Sequence, residues 1–275
     1  MIKFLLYSNF WISLGAALFT LLFYRIYDLH PDYETIAMVG CLTFVAYNFQ
    51  RIIKAKLAES SGEIEGIERL EWIIKYQKVI IGMTAIAAIV GLYFFGLNFK
   101  IIIELGIVGV FSFFYVVKIP LLNIRLREIP GAKIILISLS YAVCCALIPA
   151  SGNEVEYQTL VLSFGVAFFF ILAITIPFDI RDIHFDSKKI KTIPQVFGIT
   201  GGKIIAIFAL SLCCIGLYIL ITNTLAVIIT FLASTLLILL SKPERKFNFY
   251  AVGVDGLLVL LPALVELEIY LGNLT

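Results

Sequence analysis

Charge is what this sequence has least of. Lys, Arg, Asp and Glu make up 15% of its 275 residues and apolar residues 61%, where a soluble domain carries about 25% charged and about 45–50% apolar. That shortage excludes an ordinary water-soluble fold. Strand-like alternation is missing too. Outer-membrane barrels are written in weakly alternating segments of about ten residues, whereas the apolar runs here are long and unbroken. The cysteines offer no metal or redox spacing: Cys41, Cys144, Cys145, Cys213 and Cys214 lie inside apolar runs with no CxxC or zinc-ligand pattern. They read as small packing hydrophobes. No nucleic-acid motif, tandem repeat or soluble domain is present. The first apolar run, Phe4 to Tyr27, exceeds the roughly 7–15 residues of a signal-peptide core and reads as a retained span.

What the sequence does have is hydrocarbon in span-sized blocks. A helical crossing needs about 20 apolar residues. Breaks in hydropathy place spans near 8–28, 35–52, 76–96, 100–118, 131–150, 157–178, 203–221, 224–241 and 250–271. The expected architecture is all-α, a single transmembrane domain over 1–275 with about nine helices. Of the 21 Lys and Arg, all but Arg25 and Lys100 fall on loops that alternate to one side, and cytoplasmic loops retain such residues. The N-terminus is therefore expected in the cytoplasm and the C-terminus opposite, in a bacterial-type inner membrane or its equivalent. In the first long loop, Ser60 and Glu63 have capping-box spacing. Helical apolar periodicity follows through Ile74, which predicts an amphipathic helix across the cytoplasmic mouth, either a surface lead-in to the third span or a lid.

Two span ends carry the chemistry. The stretch "DIRDIHFDSKKIKTIP" spaces Asp179, Asp182 and Asp186 at i, i+3 and i+7, within roughly a 60° arc of one helical face. Pro177 is expected to bend or end the span just before them. Carboxylates so placed repel unless a cation lies between them, and Mg²⁺ takes a few carboxylates with substrate phosphate. Lys188, Lys189 and Lys191 follow, placed to neutralise phosphate. The spacing alone also fits a solvated loop in which the aspartates pair with Arg181 and the lysines. The other end, "YNFQRIIKAK", is cationic, with Arg51, Lys54 and Lys56, which also serve as topology anchors. Asp255 lies a few residues inside the last span, an intramembrane carboxylate and so a functional candidate. His184 points off the aspartate face, and Glu104, Glu266 and Glu268 read as interfacial.

The Asp179–Pro194 string resembles the second aspartate-rich motif of the UbiA superfamily of intramembrane prenyltransferases, DxxDxxxD followed by a basic residue and T-[LI]-P. "FSFFYVVKIPLL" is similar to the family segment after the fourth span, with Tyr115 and Lys118 as counterparts of its diphosphate-binding Tyr and Lys. The family's first motif, NDxxDxxxD, is degenerate: aligned on Asn48, its aspartate positions hold Phe49, Ile52 and Lys56. The resemblance implies a bundle around a lipid-open cavity, an isoprenyl diphosphate as donor, a lipophilic acceptor and no nucleic acid. It implies Mg²⁺ at Asp179, Asp182 and Asp186, one site rather than the family's two. Beside Tyr115 and Lys118, the diphosphate is expected to meet Lys188 and Lys191, with Arg51, Lys54 or Lys56 replacing the missing ion as counter-charge. Asn48 is expected to contact metal water or phosphate, and Asp255 is a possible additional site residue. Prenyl transfer is the implied activity. Binding of an isoprenoid, quinone-type lipid or diphosphate without turnover is the alternative, and transport on the same scaffold fits least, because the spans carry little charge away from their ends.

Overall fold

A computed structural model describes residues 2–61, 68–95, 99–120, 122–184, 191–221 and 224–272, and among these residues there is no strand. The helices are α1 (Ile2–Tyr7), α2 (Phe10–Ile26), α3 (Tyr33–Ser61), α4 (Glu68–Lys75), α5 (Gln77–Phe95), α6 (Phe99–Val116), α7 (Ala132–Ala150), α8 (Tyr157–Arg181), α9 (Ile193–Leu220), α10 (Thr224–Leu240) and α11 (Leu257–Gly272). Five of them, α3, α5, α7, α8 and α9, are long and apolar enough to cross a bilayer, and α2, α6 and α10 are apolar but shorter. The chain is an all-α, polytopic integral membrane protein. Each expected span falls on a helix, and nine crossings would require α11 besides these eight.

Three boundaries differ from the sequence reading. α3 continues to Ser61, because Lys, Ala, Leu and Glu after Ile53 are strong helix formers. Ser60 therefore lies inside a helix rather than capping the start of one, and Glu63 is outside the described residues. α8 runs through Pro177 to Arg181; one missing backbone donor is tolerated in a buried membrane helix. α9 begins at Ile193, earlier than expected. Thr192 caps it with Gln195 accepting from the Thr192 N–H at 3.1 Å, and the chain kinks at Gly198.

The long helices close into a ring. α2 packs between α3 and α11, and α7, α8, α9, α10 and α11 follow side by side. The core is aromatic at its centre: Phe19 of α2 stacks on Phe170 of α8 at 5.3 Å and meets Phe23 edge-on at 5.2 Å. α8 and α9 approach closely, since a Cβ on Gly216 would lie 2.6 Å from Val166 Cγ2. Small residues allow such approach where lipid offers no hydrophobic drive for association. α6 packs more loosely, with Ile103, Ile107, Val110 and Phe111 exposed. At the end of the bundle remote from Arg51 and Asp182, Arg25 and Glu266 form a two-point ion pair (2.6 and 3.0 Å). Nearby, Glu268 accepts from the Leu225 and Ala226 N–H groups at the start of α10. Glu104 accepts from Ser151.

Candidate binding chamber

Two cavities meet inside the ring. The first, about 820 Å³, gathers the end of α3, α4, the start of α7, the end of α8 and the start of α11. The second, about 530 Å³, is an apolar cleft between α3, α5, α6 and α7, where α6 packs loosely. Tyr47, Tyr115 and Tyr141 belong to both walls. The Tyr47 and Tyr141 hydroxyls stand 3.5 Å apart. A ligand spanning both spaces would present a polar end to one and an apolar end to the other.

The first chamber is cationic. Arg51, Lys54, Arg69, Arg127, Lys133 and Arg181 line it, against the carboxylates of Glu128, Asp182 and Asp255. Each of these carboxylates has cationic company. Asp182 caps α8 and receives both Arg181 Nε (2.7 Å) and Nη2 (2.9 Å). Burial raises the Asp182 pKa, but the Arg181 fork, with Lys133 and Lys54 behind it, holds the carboxyl below its ordinary range. Glu128 accepts from the Arg125 N–H and Nη1 at 3.0 Å. Asp255 feels the charges of Arg69, Arg181 and Arg51. Its position is set by a single π-turn, in which the Asp255 N–H reaches back to the Tyr250 carbonyl at 3.0 Å. Gly256 follows by necessity, because a Cβ there would collide with the Val252 carbonyl oxygen.

Arg69 arrives from α4 and is held by a relay. α4 buries Leu70 and Ile73, and Trp72 meets Phe4 and Tyr7 edge-on at 5.9 and 5.6 Å. Arg69 Nη2 donates to Asn9 Oδ1 at 2.6 Å, and Asn9 Nδ2 donates to Asn48 Oδ1 at 2.9 Å. Asn48 Nδ2 is spent on the Ser8 and Phe44 carbonyls, both at 3.0 Å. Asn9 adopts a left-handed conformation (φ 64°) at the break between α1 and α2, which Asn tolerates better than most residues. The Arg69 guanidinium lies 5.1 Å from the Phe247 ring centroid. Burial, and behind it the charge of Arg51, depress its pKa well below the ordinary arginine value.

The sequence-predicted residues therefore divide. Arg51, Tyr115, Asp182 and Asp255 line the chamber. Asp179 sits behind its wall, 1% exposed, with Lys133 Nζ at 2.8 Å from Oδ1. Asn48 does not line the chamber; its amide is consumed in fixing α3 to the α1–α2 junction. Lys56, Lys118 and Lys191 are exposed and outside the chamber wall, so the charge at Lys56's end of α3 is delivered by Arg51 and Lys54 instead. Asp186 and Lys188 lie outside the described residues. Because α8 ends at Arg181, helical spacing relates Asp179 to Asp182 but does not extend to Asp186. His184 is exposed in the turn after α8. The unforeseen members are Asn9, Arg69, Arg127 and Lys133, while Arg181 pairs with Asp182 as the solvated-loop reading of the spacing expected. The available signal was Asn9, an amide inside an apolar run, where burial is costly without partners.

The donor set does not suit Mg²⁺ among the described residues. No three His, Cys, Asp or Glu side chains meet there, Asp179 faces Lys133, and Asp182 is forked by Arg181. A divalent cation needs oxygen ligands, and the chamber offers mainly N–H donors.

These features define a helical membrane protein with a cationic chamber and an apolar cleft on either side of a shared tyrosine wall. Its fold is similar to one already solved, the apo structure of a UbiA homolog from Aeropyrum pernix K1. The TM-score is 0.66, with 95% of this chain and 98% of that chain covered at 12% identity. The bundle is thus of the UbiA type. No family model matches the sequence, and no curated protein does.

Proposed function

We propose that the protein binds an isoprenyl diphosphate, head in the cationic chamber and tail in the apolar cleft, and transfers the prenyl group to a lipophilic acceptor. One observation carries the reading: a cationic chamber and an apolar cleft adjoin across Tyr47, Tyr115 and Tyr141, the polar and apolar neighbours that an amphiphile with a charged head would need. The fold is compatible with it. In the transfer, the bond between the allylic carbon and the diphosphate oxygen breaks. That carbon bonds to the acceptor, the acceptor loses a proton, and diphosphate leaves. Guanidinium and ammonium groups stabilise the charge that grows on the leaving group. Tyr47, Tyr115 and Tyr141 stand at the junction of the head and tail spaces, and aromatic rings there would stabilise the cationic character that develops on the allylic carbon. Mg²⁺, which the resemblance implies, would neutralise the same leaving charge; the described donors do not form its site.

Binding without turnover is the second reading, favoured by the pairing of Asp179 with Lys133 and of Asp182 with Arg181. Both readings are tested by titrating purified protein with a panel of isoprenyl diphosphates and following diphosphate release in the presence of membrane lipid extract. Saturable binding with release supports transfer. Binding with no release for any extract supports the second reading. Failure of every isoprenyl diphosphate to bind would overturn both.

A further inference from the structure

Arg51, Arg69 and Arg181 come from three separate elements, α3, α4 and the end of α8, and all three line one chamber. Arg51 acts electrostatically on Arg181 and on Arg69, and all three act on Asp255. The wall brings six cationic side chains against three carboxylates, with Arg181 already paired to Asp182 and Lys133 to Asp179. Gathering like charges away from bulk water is costly unless an anion joins them.

The hydrogen-bonding capacity points the same way. A guanidinium carries five N–H donors. Arg181 uses Nε and Nη2 on Asp182, and its plane packs on Phe178 and Tyr250 at 5.0 and 5.3 Å. That leaves its other N–H groups for a ligand. Arg69 is positioned by Nη2 alone, while its Nε is buried with no hydrogen-bond partner. Arg51 forms no ion pair with a carboxylate among the described residues. Three nearby carboxylates are already engaged, Asp182 by Arg181, Glu128 by Arg125 and Asp179 by Lys133 behind the wall, which leaves Asp255 as a single carboxylate against the chamber's cations. A divalent cation entering this chamber would meet six cationic side chains. A diphosphate would meet planar forks suited to paired phosphate oxygens.

Building on the proposed diphosphate ligand, we infer that Arg51, Arg69 and Arg181 form a guanidinium clamp that binds the diphosphate head directly, without a bridging divalent cation. The degenerate first motif is then a replacement: Arg51 stands one residue before Ile52, on the helix whose aspartate positions hold Phe49, Ile52 and Lys56, and it delivers charge where carboxylates would have gathered a metal. Asp255 lies within the electrostatic reach of all three arginines but forms no ion pair with them among the described residues. Arg69 is placed by the Asn48–Asn9 relay, so α4 belongs to the site rather than merely leading into α5.

The test is equilibrium binding of geranylgeranyl diphosphate to the purified full chain, in EDTA and in millimolar MgCl₂, with inorganic diphosphate as competitor. The clamp predicts binding in EDTA within about threefold of that in Mg²⁺, and losses of about tenfold or more for Arg51→Gln and Arg69→Gln, as removal of a charge-assisted contact to phosphate entails. Competition by inorganic diphosphate assigns the contact to the head rather than the tail. Binding that appears only with Mg²⁺ would overturn the clamp and leave the diphosphate reading standing. So would arginine variants that elute as monodisperse protein and bind like the parent. Absence of binding by the parent protein in both buffers would overturn the diphosphate reading itself. The EDTA comparison uses the unaltered protein and does not depend on how the variants fold.

Discussion

Asn48 shows how a residue can resemble part of a motif while serving a different purpose. In the sequence it is the surviving member of an aspartate-rich pattern; in the structure both ends of its amide are committed to Asn9, Ser8 and Phe44. Its influence on the chamber passes through Asn9 to Arg69. Removing a buried hydrogen-bonding partner and stranding the other costs about 1–3 kcal/mol. Asn48→Ala is accordingly expected to lower the melting temperature of the purified protein and to weaken diphosphate binding. Asn48→Asp should fail to restore binding, because a carboxylate cannot donate to the Ser8 and Phe44 carbonyls. Recovery of binding in Asn48→Asp with added Mg²⁺ would instead return Asn48 to a metal-site role. Asp182 makes the complementary point: its spacing suggests a metal ligand, but the neighbouring arginine is near enough to take both oxygens.

At the scale of the element, α4 is where surface helix and functional site meet. Its apolar face, Leu70 and Ile73, packs into a small cluster with Ala55 of α3 and Ile80 of α5. That docking aims Arg69 inward beneath α1. Lys3 and Glu68 tie the same helix to α1 at 2.6 Å, but both side chains are exposed and such surface pairs contribute about 0–1 kcal/mol. The apolar cluster therefore decides whether α4 stays. Ile73→Asp buries a charge without a partner and should undock α4. The expected readouts are faster proteolysis near residues 68–75 and a loss of diphosphate binding comparable to that of Arg69→Gln, with the bundle still eluting as one species. A variant that keeps full binding would show that α4 is only a lead-in to α5.

At the scale of the molecule, the residues that line the chamber come from alternate helix ends: the end of α3, the start of α7, the end of α8 and the start of α11. Successive antiparallel crossings bring those ends to one side of the bundle, the side on which the sequence also concentrates Lys and Arg. The expectation from the positive-inside rule is that this side faces the cytoplasm. Single cysteines introduced at Lys3 and Tyr270, in a background lacking the native five, should respond oppositely to a membrane-impermeant thiol reagent in sealed inside-out vesicles, with Lys3 labelled and Tyr270 protected. Labelling of both or neither would require a different number of crossings.

What the sequence determined by itself was whatever rests on local composition. Long apolar runs can satisfy their backbone in lipid only as helices, so the class of fold, the positions of the spans and the α8–α9 aspartate string were all legible. The resemblance that named the UbiA-type bundle was legible too, and the solved homolog of similar fold agrees with it. The local pairing of Asp182 with Arg181 was legible as one alternative, but which charges meet across separate segments was not. Helical arithmetic placed three aspartates on one face, but α8 stops at Arg181, and a cap residue obeys the turn rather than the helix. Lys56, Lys118 and Lys191 looked as useful as Arg51, yet direction around a helix and the path of each loop send them to the surface. Arg69, Lys133 and Arg181 looked like topology anchors. Only the convergence of α3, α4, α7, α8 and α11 made them one chamber, because electrostatic meaning depends on distances between segments that no sequence spacing encodes. The opposition between a cationic rim and an acidic one thereby becomes a single site, in which Asp182 sits with Arg181 while Arg51, Arg69 and Asp255 share the same wall.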